Sequence, residues 1–269
     1  MMVKSRKPGE KEVGPSAPVP LSVMLITKDA ARKLRVCLES VAFADEIVIL
    51  DCGSTDDTEE IAKEFGARWY VEPWKGFGPQ KNSALEKCSN EWVLAIDADE
   101  RVPARTARVI SRVLAGRKLA DAYSFRRKNY FHGKWIKMGE WWPDEVIRLL
   151  RKSAGRYEGV LHEKWTTSGR LEKLTCEIEH YSFDNYSDMI QVMDRYSKIW
   201  AEEMHAEGKK AGPADALLRF SWMFFRSYFL RRGFLAGFDG FMIALTKAMG
   251  SFFKYAKLHE LNSQAGKAK

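Results

Sequence analysis

The apolar positions of this chain fall first into short unbroken runs and later into helical stripes. Leu21–Thr27, Glu46–Asp51 and Trp92–Ile96 are too short for helices and too continuous for half-exposed strands, so they predict strands covered on both faces. Arg68–Val71 predicts a further strand. Between them lie helical patterns: Leu34, Leu38 and Val41 share one face, and Gly76–Pro79 opens a helix running through Leu85. Cys52–Asp57 predicts a turn in which Ser54 or Thr55 caps a helix with an acid-rich first turn. Strand and helix alternate with short connections, which predicts an α/β fold with a mostly parallel sheet and helices on both faces.

Beyond Val102 the rhythm loosens. A helix over Ala104–Leu114 leads to the aromatic segments Tyr123–Phe131 and Trp135–Pro143, a strand over Glu145–Leu150, and a turn-rich stretch from Gly155 to His162 and Glu163. The last quarter reads as helical: Asp188–Glu203, then Ala214–Leu230 and Phe234–Leu258, split by Arg231-Arg232-Gly233. Arg219, Arg226, Asp239, Lys247 and Lys254 interrupt the apolar stretches, so neither offers the roughly 20 apolar residues of a membrane span. The seven-residue spacings Arg219/Arg226 and Lys247/Lys254 predict a basic stripe on aromatic helices, the make-up of helices lying in a membrane interface. The expected organisation is a disordered basic leader (1–20), a first α/β half (21–102), a second half (103–183) and a helical membrane-associating region (184–269).

Charge placement sharpens this picture. The net charge of +8 is carried by the two ends: residues 207–269 hold 11 Lys/Arg against 4 Asp/Glu, and residues 1–20 hold 4 against 2. A terminal excess argues for a patch that meets an anionic surface and against a nucleic-acid binder. The four cysteines, Cys37, Cys52, Cys88 and Cys176, are widely spaced and read as reduced thiols in a cytosolic protein. Lys4, Arg6 and Lys7 are followed by no apolar stretch, which argues against a signal peptide.

The chemistry centres on Glu91-Trp-Val-Leu-Ala-Ile-Asp-Ala-Asp-Glu100. Successive side chains on a strand alternate faces, so Asp97 and Asp99 are expected to point the same way and sit together at the carboxyl end of the sheet, where open α/β sheets bind ligands. Two carboxylates so close need a compensating charge, and Mg²⁺ is typically held by one or two carboxylates plus substrate phosphates. A pair of solvated loop aspartates is the plain alternative.

Four segments together resemble, in order and spacing, the nucleotide-sugar half of glycosyltransferase family 2: Leu25-Ile-Thr-Lys-Asp29, Asp51-Cys-Gly-Ser-Thr-Asp-Asp57, Gly76–Asn82 and Ile96-Asp-Ala-Asp-Glu100. Trp142-Pro-Asp-Glu-Val-Ile-Arg-Leu149, Val160-Leu-His-Glu163 and the Arg231–Gly237 tail are similar to its lipopolysaccharide-core glucosyltransferase branch. The resemblance implies a GT-A fold and an inverting transfer of a hexose, glucose being the first candidate, from a UDP-sugar to a lipid-linked saccharide acceptor such as lipopolysaccharide inner core. It implies that Thr27, Asp29 and Asp51 hold the nucleoside, that Gly53 frees the turn, and that Lys81 approaches the diphosphate or the ribose. Asp97 and Asp99 would hold Mg²⁺ or Mn²⁺, Asp97 shared with the ribose, and His162 would lie towards the metal or the diphosphate. Asp144 is the first candidate base, Glu163 the second, with Glu145 also eligible; Arg126, Arg127 and Lys128 are candidates for anionic groups of the acceptor. The implied location is peripheral, on the cytoplasmic face of the cell membrane against an anionic surface. Two rivals remain: a nucleotidyltransferase, for which the glycine-rich triphosphate loop after the first strand is missing, and a non-catalytic membrane-binding scaffold.

Overall fold

The computed structural model describes residues 19–116, 119–159 and 163–267. Strand and helix alternate first: β1 (Val19–Thr27), α1 (Ala31–Ser40), β2 (Ala44–Asp51), α2 (Thr58–Glu64), β3 (Arg68–Val71), α3 (Phe77–Lys87) and β4 (Trp92–Ala95). Then come β5 (Glu100–Arg101), α4 (Ala104–Leu114), β6 (Ala122–Phe131), β7 (Lys134–Trp135) and β8 (Glu145–Arg151). An antiparallel pair, β9 (Gly155–Glu158) and β10 (Lys164–Thr167), precedes β11 (Leu171–His180). Three long helices follow, α5 (Tyr186–Ala206), α6 (Pro213–Phe225) and α7 (Gly237–Lys267), the last two joined by a π turn and a 3-10 turn.

Nine strands form one sheet in the order β3-β2-β1-β4-β8-β6-β11-β5, with β7 beside β6. The first half is wholly parallel, β3, β2, β1 and β4 all pointing the same way. At β8 the direction reverses, because β8 pairs antiparallel with both β4 and β6. The continuous apolar runs are explained by alternation across two cores. Leu21, Val23, Leu25, Ile49 and Leu94 pack with α1, α2 and α4 on one face, while Met24, Val48, Leu50, Val93 and Ala95 pack with α3 and the β9–β10 pair on the other.

Two local features position the site. Gly78, early in α3, lies so close to the β9 end that a side-chain Cβ there would sit 2.2 Å from the Gly159 carbonyl oxygen, and its own N–H donates to that oxygen at 3.1 Å. This contact fixes α3 against the end of β9. Next, the register Leu94↔Leu149 sets Arg148, one residue back along antiparallel β8, beside the carboxyl end of β4.

A third apolar cluster, Phe131, Ile136, Trp141, Met189 and Ile243, fastens the last helices to the sheet. Among the described residues no helix is long and apolar enough to cross a membrane. The expected basic stripe does not form. Arg219 is exposed with its guanidinium 4.7 Å from the Tyr255 ring centre, Arg226 turns to Glu140 at 3.5 Å, and Lys247 and Lys254 line an open-sided cavity between the helices. The reason is packing: α7 lies against both α5 and α6, so the face carrying its two lysines is turned inward.

Candidate active site

The carboxyl ends of β1 and β2 lie side by side, Thr27 opposite Asp51. Asp51 is buried and every acceptor position is occupied: one oxygen takes the hydroxyls of Thr27 (2.9 Å) and Ser54 (2.5 Å), the other the backbone N–H groups of Gly53 and Ser54, both at 2.6 Å. A carboxylate has about four such positions, so Asp51 shapes this loop from within and is not turned to a ligand here. Gly53 has φ +86, a conformation that lets its N–H reach back to Asp51. Ser54 and Thr55, expected to cap α2, instead bind Asp29: the Asp29 N–H donates to the Ser54 hydroxyl at 2.7 Å and the Thr55 N–H to the Asp29 carboxylate at 2.8 Å. α2 begins later, at Thr58. Thr27, Lys28, Asp29, Arg32, Lys33 and Asp99 surround a cavity of 250 Å³ in front of these loops.

Asp97 and Asp99 do not lie on an extended strand. β4 ends at Ala95 and Ala98-Asp99 form a turn, so the two carboxylates part. Asp97 meets Arg148 at 2.6 Å and Lys81 at 3.5 Å. Asp99 meets His180 Nε2 at 3.4 Å and faces the 250 Å³ cavity. Arginine and lysine therefore supply the compensating charge that the D-x-D spacing demands at Asp97.

These contacts belong to a chain of alternating charge. Glu163 accepts from Lys81 at 2.7 Å; Lys81 pairs with Asp97; Arg148 joins Asp97 to the buried Glu100 at 2.7 Å; Arg127 joins Glu100 at 3.3 Å to Asp144 at 2.8 Å. Asn129 then carries the network back: it donates to Asp144 at 3.0 Å and contacts His180 Nδ1 at 2.6 Å, and His180 reaches Asp99. Burial works to raise the Asp97 carboxyl, but Arg148 and then Lys81 outweigh it and hold it far below the ordinary range. Burial likewise opposes ionisation of Asp144 and Asp99, and is outweighed by Arg127 and Asn129 at the first and by His180 at the second. For Lys81, desolvation is overcome by Asp97, and its ammonium stays charged above the usual lysine range.

Alternation along β8 separates the two neighbouring carboxylates. Asp144 lines a cleft of 280 Å³ with Arg127, Asn129, His180 and Lys247, whereas Glu145 pairs outward with Lys173. Gly53, Lys81, Asp97, Asp144 and Glu163 thus lie in or beside one connected site with Thr27, Asp29 and Asp99; His162 lies outside the described residues. Lys128 pairs with Glu177 at 3.4 Å, and Arg127 is part of the charge chain. Sequence reasoning missed Arg148, Glu100, Asn129 and His180. Arg148 had a readable signal, a lone charge within the apolar run Val146–Leu150, since a charge in a buried strand requires a partner. Asn129 and His180 are brought in by the parallel pairing of β6 with β11, which local pattern does not encode.

Arg148→Met removes the shared cation of two carboxylates and is expected to cost about 3–5 kcal/mol of stability in urea unfolding at neutral pH. Asp97 has a depressed folded pKa, so its contribution is present above about pH 4 and lost as pH falls through the folded value. The gap between parent and variant should therefore narrow in acid. A loss below about 1 kcal/mol at neutral pH would contradict the role given to Arg148.

The profile of glycosyl transferase family 2 matches residues 22–170. A glycosyltransferase of Rickettsia typhi is 30% identical over 256 residues, 90% of this chain and 87% of its own. The lipopolysaccharide core biosynthesis glycosyltransferase LpsC of Rhizobium meliloti is 29% identical over 250 residues, 90% of this chain and 93% of its own. Among solved structures, S. aureus TarS in complex with UDP superposes with a TM-score of 0.46 at 15% identity, over 93% of this chain and 92% of that one, a distant likeness. The Asp51 loop, the D-A-D-E turn and a profile match spanning most of the nine-stranded sheet converge: this chain belongs to glycosyltransferase family 2, with the α/β fold of its GT-A members, and is a glycosyltransferase.

Proposed function

We propose that the protein is an inverting hexosyltransferase that moves a sugar from UDP to a lipid-linked saccharide of the lipopolysaccharide-core type, with Mg²⁺ or Mn²⁺, at a membrane surface. One observation carries this reading: a donor-side cavity at Thr27, Asp29 and Asp99 is joined through one charge network to a second cleft holding Asp144. The name of the Rhizobium relative supports the acceptor class.

On the donor side, Lys28, Arg32 and Lys33 ring the cavity and favour a diphosphate, and Asp29 offers a partly exposed carboxylate for ribose hydroxyls or a base N–H. The donor set suits a hard divalent cation held by one carboxylate and the diphosphate oxygens, with Asp99 as that carboxylate. Asp97 is engaged by Arg148 and Lys81, so its proposed part is to hold the turn that presents Asp99. When bound, the metal neutralises charge on the leaving diphosphate. Lys81 stays charged beside it.

On the acceptor side, Asp144 is the better base. Its hydrogen bonds from Arg127 Nε and Asn129 Nδ2 both end on Oδ2, which leaves Oδ1 for a substrate hydroxyl. Its depressed pKa keeps it ionised at neutral pH. As the acceptor oxygen bonds the sugar's anomeric carbon and the bond to the diphosphate breaks, Asp144 takes the hydroxyl proton. Glu163 accepts from Lys81 and serves as its partner. Asp144→Asn should lower kcat by about 10²–10⁴-fold with UDP affinity unchanged; retention of most of the rate would move the base elsewhere.

The membrane part is supported by exposed Leu218, Trp222, Phe225, Phe229, Phe234, Leu235 and Phe238, an apolar patch beside exposed Arg219 and Arg232. The protein should sediment with vesicles containing anionic lipid, and Trp222→Ser with Phe229→Ser should abolish this. Equal sedimentation of parent and variant would count against the patch.

A further inference from the structure

A cavity of 630 Å³ lies between α5, α6, α7 and the Gly139–Trp141 turn. It shares Arg127, Glu140, Trp141, Phe183 and Lys247 with the cleft that holds Asp144, so the two spaces adjoin. Its walls are apolar and aromatic: Met189, Met193, Met223 and Ile243 with Trp141, Phe183 and Tyr196. Such a lining with a few placed charges is the usual make-up of a ligand pocket, and flat aromatic rings suit the C–H faces of pyranoses.

The charges on these walls are unequal. Glu140 is matched by Arg231 at 3.1 Å and Arg226 at 3.5 Å, and Arg127 by Asp144 and Glu100. Lys247 and Lys254, seven residues apart on one face of α7, have no carboxylate within ion-pair distance among the described residues; Lys254 lies 5.4 Å from the Trp200 ring centre. Desolvation lowers the pKa of both ammonium groups, for Lys254 with the added repulsion of Lys247, so an anion brought between them would be stabilising. Two cations with no ion-pair partner among the described residues, on the aromatic wall of an open-sided cavity, offer an anionic ligand room and opposite charge.

We propose that this cavity is the acceptor subsite and that Lys247 and Lys254 bind an anionic substituent, carboxylate or phosphate, on the acceptor saccharide, setting its reactive hydroxyl towards Asp144. The proposal rests on the transferase reading above and deepens it by naming the acceptor as an acidic saccharide. It also gives the inward-turned lysines of α7 a function.

The test is equilibrium binding by calorimetry with four probes: methyl glucoside, methyl glucuronide, glucose 6-phosphate and inorganic phosphate. The parent should bind at least one acidic sugar about tenfold or more tightly than methyl glucoside and inorganic phosphate; which one it prefers separates a carboxylate from a phosphate source. Lys247→Met with Lys254→Met should remove that preference, and Lys247→Arg with Lys254→Arg should keep it, with thermal unfolding of each variant checking the fold. UDP is titrated in parallel. Failure of the parent to bind UDP, with the acidic-sugar preference intact, would remove the donor reading and leave the subsite standing. No acidic preference in the parent, inorganic phosphate binding as well as glucose 6-phosphate, or a preference that survives the double methionine variant would overturn the proposal.

Discussion

The buried guanidinium of Arg148, shared between Asp97 and Glu100, is the interaction on which the site depends. Ionised carboxylates gathered at the end of a sheet repel one another and lose hydration, and neither cost is tolerable without a fixed counter-charge. Arg148 meets both demands because antiparallel β8 sets it beside the end of β4. From this pair the network extends by alternation of sign, to Lys81 and Glu163 on one side and to Arg127 and Asp144 on the other. Each charge between the two ends of this chain is held by two neighbours of opposite sign, and Asp97 and Asp144 stay ionised and in place.

This arrangement divides the labour of the D-x-D turn. Asp97 belongs to the protein's own charge balance, and Asp99, whose one ion-pair partner among the described residues is His180, keeps capacity for a ligand. The donor loops follow the same logic, Asp51 being saturated from within while Asp29 stays accessible. Residues that look equivalent in a motif are thus sorted into those that build the site and those that face it. The sorting is made by how many partners the fold supplies to each.

The parallel half of the fold was legible because its strands are short apolar runs split evenly between two faces, and α4 falls where its pattern places it. What was not legible depends on long-range pairing. Asn129 and His180 enter through β6 and β11, some fifty positions apart in sequence, and no local period marks them. The turn over Cys52–Asp57 lies between β2 and α2 as its residues predict, yet Ser54 and Thr55 serve Asp29 and Asp51 in place of a cap. The lysines of α7 were visible as a regular spacing, but spacing cannot say which side of a helix the rest of the protein covers. Packing against α5 and α6 turned them inward.

A nucleoside diphosphate bound at the Asp29 and Asp99 cavity needs both the cation and the carboxylate that holds it. Titrating UDP into the parent protein and into Asp99→Asn, with and without Mn²⁺, measures this. UDP should bind the parent in a metal-dependent way, and the variant should lose about tenfold or more of that affinity with its fold intact. Absence of UDP binding, or equal affinity in parent and variant, would contradict the site assigned at the carboxyl end of this sheet.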